Sequence, residues 1–422
     1  MKSIIPYPHD QTTLPNGLKV ITMPMPSGGL VSYWSIVRTG SRDEYEAGHT
    51  GFAHFFEHMM FRGTELYPSD VYQRLLTEMG ADANAYTTDD LTAYHVSMTS
   101  ADLPRMVELE SDRFQNLSYA EAAFQTEAGA VYGEYRKDRT DPVFVLYEAL
   151  MNVAFTAHTY GHTTMGFEED IAAMPTMYEY SRSFFSRYYR PDNTVLFIVG
   201  DIDSDAVIRL IERHYGNWQA GYVAPSVPAE PAQRDPRRVE VGYAGQTLPV
   251  VWVAYKIGRF DPSDRERVAA DLLASLAFGE TSTAYRKLVL NEQVVEFLQA
   301  DLNANRDPGL LGVYTRIKDP AKVEYVLAAI EETAACYRQS PPAADRLAAI
   351  KSHLKYDFLM GLQTPDAVAA SLSRHIAIGG DLTGVEKLYA AYDGITPEDI
   401  QKAAQAYLSP EGRTVGVLRA KQ

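Results

Sequence analysis

Alternating apolar and polar positions predict strands and helices in irregular order along the first half of the chain. The turn at Asn16-Gly17 leads into an alternating stretch that predicts a strand to about Met23. Residues 30–38 predict a second strand that pairs with the first, and residues 194–199 predict a third. Apolar residues at helical spacing predict helices over roughly 50–62, 68–79, 101–115, 120–138 and 176–189. This mixture indicates an α+β fold.

The two halves of the chain resemble each other across a proline-rich stretch near the middle. Residues 185–199 read FSRYYRPDNTVLFIV and residues 404–418 read AQAYLSPEGRTVGVL, so each has a helix, a proline-containing turn and a strand beginning Thr-Val. A segment with prolines this frequent cannot be helical and is typical of a linker. We therefore expect two homologous domains of similar size, residues 1–222 and 237–422, joined by a linker over 223–236.

The acidic composition narrows the classes of partner. The 422 residues carry a formal net charge of −16, which argues against a nucleic-acid binder, since such proteins cluster Lys and Arg to meet phosphate. No apolar run approaches the roughly 18 residues of a membrane span. The single cysteine, Cys336, excludes an intrachain disulfide and a cysteine-based zinc cluster, and we expect it to be a small buried apolar residue.

One helix carries residues suited to metal chemistry, in the order His54-Phe55-Phe56-Glu57-His58. Positions i and i+4 lie on one helical face, so both imidazoles can reach a single zinc ion. Glu57 lies beside that row, where its carboxylate can reach a water bound to the metal. This H-x-x-E-H order occurs in zinc peptidases. A buried helix that merely contains two histidines is the alternative interpretation.

A third zinc ligand is expected to be a carboxylate from another helix, because catalytic zinc often takes two histidines and one carboxylate. Glu127 and Glu134 lie seven residues apart, close to two helical turns, and therefore share a face. Glu134 is a candidate ligand, and Glu127 is a candidate for orienting a ligand histidine. Helical periodicity alone does not select these two glutamates from their neighbours.

Residues 51–64, GFAHFFEHMMFRGT, closely resemble the signature of the pitrilysin (insulinase) family of zinc peptidases. The resemblance is closest to the short members akin to mitochondrial processing peptidase. In that family a pair of glutamates follows the second histidine at the distance found here for Glu127 and Glu134. The resemblance implies two homologous domains, each with a mostly antiparallel sheet packed by helices.

The resemblance also implies the chemistry of the site. One zinc ion per chain would be held by His54, His58 and Glu134, with Glu57 as general base and Glu127 behind the ligands. The stretch GADANAYTT, residues 80–88, is similar to the family's exposed edge strand, which pairs with the backbone of the substrate. On that basis its residues Asn84, Ala85 and Tyr86 are expected to contact a peptide.

The second half departs from the family's pattern at one place. One-chain members carry an Arg and a Tyr there that bind the substrate carbonyl, whereas Val289 and Glu296 occupy those positions here. Some short members work as pairs in which one subunit carries the zinc motif and the other the Arg and Tyr. This chain resembles the zinc-bearing subunit of a bacterial pair, so we expect a heterodimer, with a homodimer as the alternative.

The sequence thus predicts a zinc metalloendopeptidase that acts on unfolded peptides. A non-catalytic scaffold or peptide-binding subunit of the same fold is one alternative, and a zinc hydrolase of small amides is another. The beginning of the chain lacks the pattern of a signal peptide, so the chain as written predicts a cytoplasmic protein. A periplasmic location is expected if a signal peptide has been removed.

Overall fold

Two mixed β-sheets, one from each half of the chain, form the frame of the computed structural model, which describes residues 3–421. The strands of the first sheet are β1 Asp10–Thr13, β2 Lys19–Pro24, β3 Leu30–Val37, β4 Asp82–Thr87, β5 Thr92–Thr99 and β6 Thr194–Gly200. Their order is β1-β2-β6-β3-β5-β4, and all pairs are antiparallel except β2 with β6. Strand β4 is therefore an edge strand, paired only with β5.

From residue 3 onward, eight α-helices of the first half surround this sheet or extend from it. They are α1 Phe52–Met59, α2 Ser69–Met79, α3 Leu103–Asn116, α4 Glu121–Asp138, α5 Pro142–Ala154, α6 Glu168–Ala173, α7 Tyr178–Tyr188 and α8 Ser204–Tyr215. Helix α1 continues as a 3₁₀ turn, Met60–Arg62. Side chains of α1, α3, α4, α7 and α8 share one apolar core with the facing residues of the sheet. That core holds α1 against α4 and β4, where the candidate chemistry lies.

The second half repeats this topology. Its strands are β7 Arg237–Tyr243, β8 Val250–Lys256, β9 Gln299–Leu302, β10 Leu310–Arg316 and β11 Arg413–Ala420. Their order, β7-β11-β8-β10-β9, reproduces β2-β6-β3-β5-β4, and again only the first pair is parallel. The predicted duplication and the two α+β halves with mostly antiparallel sheets are confirmed.

The helices of the second half complete the architecture. They are α9 Arg265–Phe278, α10 Thr283–Tyr285 with a π-helical turn at Arg286–Asn291, α11 Val323–Gln339, α12 Ala344–Met360, α13 Pro365–Gly379, α14 Thr383–Gly394 and α15 Pro397–Tyr407. Helix α9 follows β8 as α1 follows β3, and it contacts α12 and β9 as α1 contacts α4 and β4. Helix α9 is thus the counterpart of the histidine-bearing helix.

One helix from each half packs on the sheet of the other half. Helix α13 packs on β3 and β6, so its buried Leu372 and Ile376 share a core with Trp34 and Phe197. Helix α5 packs on β7, β8 and β11 in the same way. Both sheets are therefore covered on two faces, and the halves are joined by apolar packing as well as by the chain.

Two expectations from the sequence are wrong. The strand at residues 30–38 does not pair with the first predicted strand, because β6 lies between β2 and β3. Cys336 is exposed on α11 rather than buried, because α11 turns only part of its surface toward the core. The predicted helices match the observed ones within a few residues. Residues 223–236 contain no helix or strand, as a linker would, and no helix in residues 3–421 is long and apolar enough to cross a bilayer.

Candidate metal centre

The chain before α1 fixes the point at which this helix begins. Gly51 precedes it with φ of 90°, and a Cβ at this position would lie 2.7 Å from the carbonyl oxygen of Met165. The buried carboxylate of Glu44 accepts hydrogen bonds from the N–H groups of Gly51 and Ala53, each at 2.7 Å. A carboxylate at this end satisfies free N–H groups and complements the helix dipole. Glu44 therefore sets the position from which both histidines project.

Packing of the apolar residues of α1 decides which face is left for chemistry. One side of the helix is fully buried, and its residues are Phe52, Phe55, Phe56 and Met59. The opposite side turns His54, Glu57 and His58 toward α4 and β4. The rings of His54 and His58 lie one helical turn apart, with centroids separated by 4.8 Å.

Three predicted ligands converge at one point between α1 and α4. The Oε2 atom of Glu134 lies 3.8 Å from Nε2 of His54 and 3.3 Å from Nε2 of His58. One ligand atom from each of the three residues lies within 4.8 Å of the other two. Donor atoms around a tetrahedral zinc ion, each about 2.0–2.1 Å from the metal, are separated by about 3.3 Å. The spacing therefore fits a single zinc ion.

The second glutamate of α4 holds a ligand histidine from behind. Oε1 of Glu127 lies 2.9 Å from Nδ1 of His58, which leaves Nε2 of that ring directed at Glu134. The other carboxylate oxygen, Oε2, accepts a hydrogen bond from Nε of Arg62 at 2.6 Å. Carboxylates in this position fix the tautomer and orientation of ligand histidines. His58 is thus oriented by a buried carboxylate that is itself held by a guanidinium group.

Glu57 lies next to the three ligands without being one of them. Its Oε2 atom accepts a hydrogen bond of 2.7 Å from the hydroxyl of Thr87, the last residue of β4. Burial raises the pKa of the Glu57 carboxyl above its ordinary value, and the hydrogen bond from Thr87 opposes that rise. A carboxylate with a raised pKa is closer to the range that suits a general base at neutral pH.

The two histidines differ in their surroundings. Burial lowers the pKa of His54 to about 4, and the neighbouring His58 adds to the effect, so His54 is neutral at pH 7. The hydrogen bond to Glu127 instead raises the pKa of His58. Burial would raise the pKa of Glu127, but its hydrogen bonds with His58 and Arg62 hold that pKa below the ordinary value. Zinc binds the neutral form of an imidazole, so His54 is already in that form and the raised pKa of His58 makes metal binding dependent on pH.

The donor set also fits zinc in its chemistry. Two imidazoles and one carboxylate, held on two helices, are the ligands of many catalytic zinc sites and leave a fourth position free. A cavity of about 320 Å³ opens beside the ligands, lined by Glu57, His58, Phe61, Arg62, Ser69, Gln73 and Glu127. This cavity borders Glu57 and the side of His58 that faces Glu127, so water can reach both side chains.

The predicted substrate strand is β4, and its residues face two ways. Thr87 contacts Glu57, whereas the hydroxyl of Tyr86 bonds with Ser373 on α13 at 2.8 Å. The N–H of Ala85 donates to the side-chain oxygen of Asn84 at 2.9 Å, so this N–H points away from β5. The backbone of β4 is thus open to an added strand next to Glu57, while the side chain of Tyr86 is committed to the opposite face.

The second half offers no carbonyl-binding pair at the positions where the family resemblance implies one. Val289 is partly buried against the second apolar core. Glu296 forms an ion pair with Arg316 at 3.3 Å. Neither side chain can donate a hydrogen bond to a substrate carbonyl at neutral pH.

Comparisons with known proteins agree with this fold. A family model described as "Insulinase (Peptidase family M16)" matches residues 19–168, and one described as "Peptidase M16 inactive domain" matches residues 177–354. The zinc protease PqqE of Helicobacter pylori is 26% identical, with 97% of this chain and 93% of that protein covered. The mitochondrial-processing peptidase subunit beta of Lentinula edodes is 25% identical over 94% of this chain and 87% of that protein.

A solved structure resembles the whole chain. The crystal structure of a protease from Helicobacter pylori matches with a TM-score of 0.92 at 25% identity, covering 98% of this chain and 99% of that chain. The family models, the relatives and this structure agree with the signature at residues 51–64. The chain belongs to the insulinase (M16) family of peptidases.

Three residues that contribute to the site were not predicted from the sequence. Arg62 follows His58 by four residues, so helical spacing would have placed it on the same face. Thr87 lies at the end of the predicted edge strand and had no feature to mark it. Glu44 precedes the helix by several residues, beyond the positions at which capping residues are usually sought.

Proposed function

We propose that the chain is the zinc-bearing subunit of a metalloendopeptidase that hydrolyses unfolded peptides. The observation that carries this proposal is the convergence of His54, His58 and Glu134 beside the carboxylate of Glu57. Zinc, when bound there, supplies a Lewis acid that polarises a carbonyl group and lowers the pKa of water. Residues 1–222 would form the catalytic domain, 223–236 the linker and 237–422 the homologous domain without the metal ligands.

In this proposal, each side chain around the metal ligands has a distinct role. The carboxylate of Glu57 accepts a proton from the attacking water and later delivers it to the leaving amine nitrogen. Thr87 holds that carboxylate between the end of β4 and the metal ligands. Glu127 and Arg62 keep the imidazole of His58 aimed at the same point.

Strand β4 would bind the substrate through its backbone. No strand in residues 3–421 pairs with its outer edge, and the last residue, Thr87, touches the general base. A peptide that adds to this edge gains backbone hydrogen bonds whatever its sequence, and its scissile bond is carried toward Glu57. Of the predicted contacts, Ala85 would offer its backbone N–H once the side chain of Asn84 releases it.

A homologous partner subunit would complete the site. Val289 and Glu296 cannot stabilise the oxyanion that forms when the carbonyl is attacked, so that stabilisation must come from elsewhere. A partner with an Arg and a Tyr at these positions would supply two donors. A homodimer is the alternative assembly, and it would leave the carbonyl without this pair.

A non-catalytic subunit that binds peptides is the second candidate function. It is favoured by the same absence of an Arg and Tyr pair, and disfavoured by the intact set of ligands and base. The two candidates predict different behaviour of the purified protein with zinc.

The experiment is cleavage of a casein-derived unfolded peptide mixture and of small N-acyl amides, with bound zinc quantified. The proposal predicts internal cleavage of the peptides, loss of cleavage on zinc removal and recovery on zinc addition. It also predicts higher turnover per zinc when a homologous Arg/Tyr subunit is added. Cleavage of small amides alone would indicate a different hydrolase, and stoichiometric zinc without cleavage under any condition would favour the non-catalytic subunit.

A further inference from the structure

The second half contains a cavity at the position that corresponds to the metal centre of the first half. Its volume is about 350 Å³. Residues from α9, α12 and β9 line it, and these elements correspond to α1, α4 and β4. Helices α13 and α14 close its other side. The duplication therefore preserved a space next to the counterpart of the histidine-bearing helix.

Positions counted from the start of each helix show what replaced the metal ligands. His54 and His58 are the third and seventh residues after Gly51, which precedes α1. Arg267 and Asp271 hold the same positions after Asp264, which precedes α9. The general base is replaced as well, since the position of Glu57 is taken by Ala270 in α9. The second half thus has neither the two histidines nor the glutamate at the corresponding helix positions.

Arg267 and Asp271, which replace the histidines, bond to each other and to neighbouring groups of the protein. Nη1 of Arg267 lies 2.5 Å from Oδ1 of Asp271, and its Nη2 donates to the carbonyl oxygen of Asn303 at 3.0 Å. The other oxygen of Asp271 accepts a hydrogen bond from Tyr392 at 3.1 Å. These two charges compensate each other, so the pair adds no net charge to the cavity.

Two further side chains of the cavity, both on α13, have fewer ion-pair or hydrogen-bond partners. Arg374 forms no ion pair within the described residues, and its guanidinium donates only to the carbonyl oxygen of Ala304, at 3.3 Å. The Nδ1 atom of the neighbouring His375 is shielded from solvent and has no hydrogen-bond partner in residues 3–421. A buried polar atom without a partner is costly unless a ligand or water satisfies it. The charge of Arg374 also acts on the carboxylate of Asp89, which lies beyond ion-pair distance. The lining therefore carries a guanidinium group without an ion pair in the described residues and a histidine with one unused ring nitrogen.

We propose that this cavity binds the carboxylate of a small organic acid with an apolar body. Arg374 and His375 would contact the carboxylate, because guanidinium groups recognise carboxylates and a neutral imidazole nitrogen can donate to one. Phe260, Leu302, Leu354 and Leu388 form an apolar part of the lining that suits such a body, beside polar side chains such as Ser275 and Asn303. The volume is in the range of small-molecule sites. The acid is either a free small molecule or the end of a peptide chain.

A bound acid would also touch the helix that supports the substrate strand. Ser373, next to Arg374 on α13, holds the hydroxyl of Tyr86 on β4 at 2.8 Å. The proposed ligand and β4 thus share one helix. Binding of the acid does not depend on peptidase activity. A chain that fails to cleave peptides could still bind the acid, and a chain that does not bind the acid could still cleave peptides.

The test is calorimetric titration of the zinc-loaded chain with N-acetyl-leucine and with N-acetyl-leucinamide, which lacks the carboxylate. The acid is expected to bind with one site per chain, and the amide to bind at least about tenfold more weakly. Arg374→Gln and His375→Phe are each expected to weaken acid binding about tenfold or more. The matched controls are Arg286→Gln and His353→Phe, at exposed positions in the same half, and they should leave it unchanged.

Two results of the titration would overturn the proposal. Acid binding that survives both cavity variants would locate the acid elsewhere, the metal centre included. Equal binding of acid and amide would show that the carboxylate is not recognised. Thermal unfolding of each variant checks its fold, and each cavity change is measured separately against its own control. A hexapeptide ending in leucine distinguishes the sources of the carboxylate: its binding points to peptide ends, and its exclusion to a free acid.

Discussion

Nδ1 of His58 lies 2.9 Å from Oε1 of Glu127, and this contact links a ligand on α1 to a buried carboxylate on α4. The contact does two things at once. It directs Nε2 of His58 at Glu134, and it makes the ring a better electron donor to a metal ion. The affinity for zinc should therefore depend on a residue that does not touch the metal.

Glu127→Gln is predicted to weaken zinc binding by about 10–100-fold, because the neutral amide no longer polarises His58. Zinc affinity is measured by competition with a chromophoric chelator. Glu121→Gln, an exposed change in the first turn of the same helix, is the matched control and should bind zinc like the wild type. Equal affinities in all three proteins would contradict the role assigned to Glu127.

Thr87→Val is predicted to shift the acidic limb of the pH profile of kcat/KM to higher pH. The general base has to be ionised, and its pKa is already raised by burial and held back by the hydrogen bond from Thr87. Loss of that hydrogen bond raises the pKa further, so activity disappears at a higher pH as the solution is acidified. Thr77→Val, an exposed change on α2, is the control. An unmoved acidic limb in Thr87→Val would show that Glu57 is not the titrating base.

Glu44→Gln is predicted to lower the free energy of unfolding by about 1–3 kcal/mol, because one of two backbone N–H groups loses its acceptor in a buried place. Urea denaturation of the metal-free chain measures this loss. Zinc affinity should fall in the same variant, since the start of α1 sets the position of His54. The exposed change Glu65→Gln should affect neither quantity. A variant with unchanged stability would contradict the capping role of Glu44.

Asn84→Ala is predicted to lower KM for an unfolded peptide by about two- to fivefold with little change in kcat. The side chain of Asn84 occupies the N–H of Ala85, which an added strand needs, and a net hydrogen bond contributes about 0.5–1.5 kcal/mol. Steady-state kinetics on one peptide measure both constants. Asp82→Ala, at another exposed position of β4, serves as control. A higher KM in Asn84→Ala would instead indicate that the amide itself binds the substrate.

The sequence predicts the elements of this protein better than their arrangement. The apolar periodicity of α1 and the spacing of His54 and His58 are local properties, so both could be read from the chain. The insertion of β6 between β2 and β3 joins residues more than 150 positions apart, and local patterns carry no information about it. The placement of α13 on the first sheet is non-local in the same way.

The residues of the candidate site also divide into those that local sequence predicts and those whose role depends on the fold. The choice of Glu134 and Glu127 came from the family resemblance, because helical spacing alone does not distinguish them from other glutamates. Thr87 could not be found from the sequence, since its role depends on where the end of β4 meets α1. Cys336 was predicted to be buried from its helical context, but the exposed face of α11 carries it.

Peptide cleavage and zinc content, measured side by side in the wild type and Glu57→Gln, decide whether Glu57 is the general base of a zinc peptidase. We expect Glu57→Gln to keep one zinc per chain and to lose about 10²–10⁴-fold in kcat, because only the proton acceptor is removed. The matched control, Glu65→Gln, should equal the wild type in both quantities. Cleavage by Glu57→Gln at the wild-type rate with zinc still bound would contradict the role of Glu57 and the proposed peptidase mechanism.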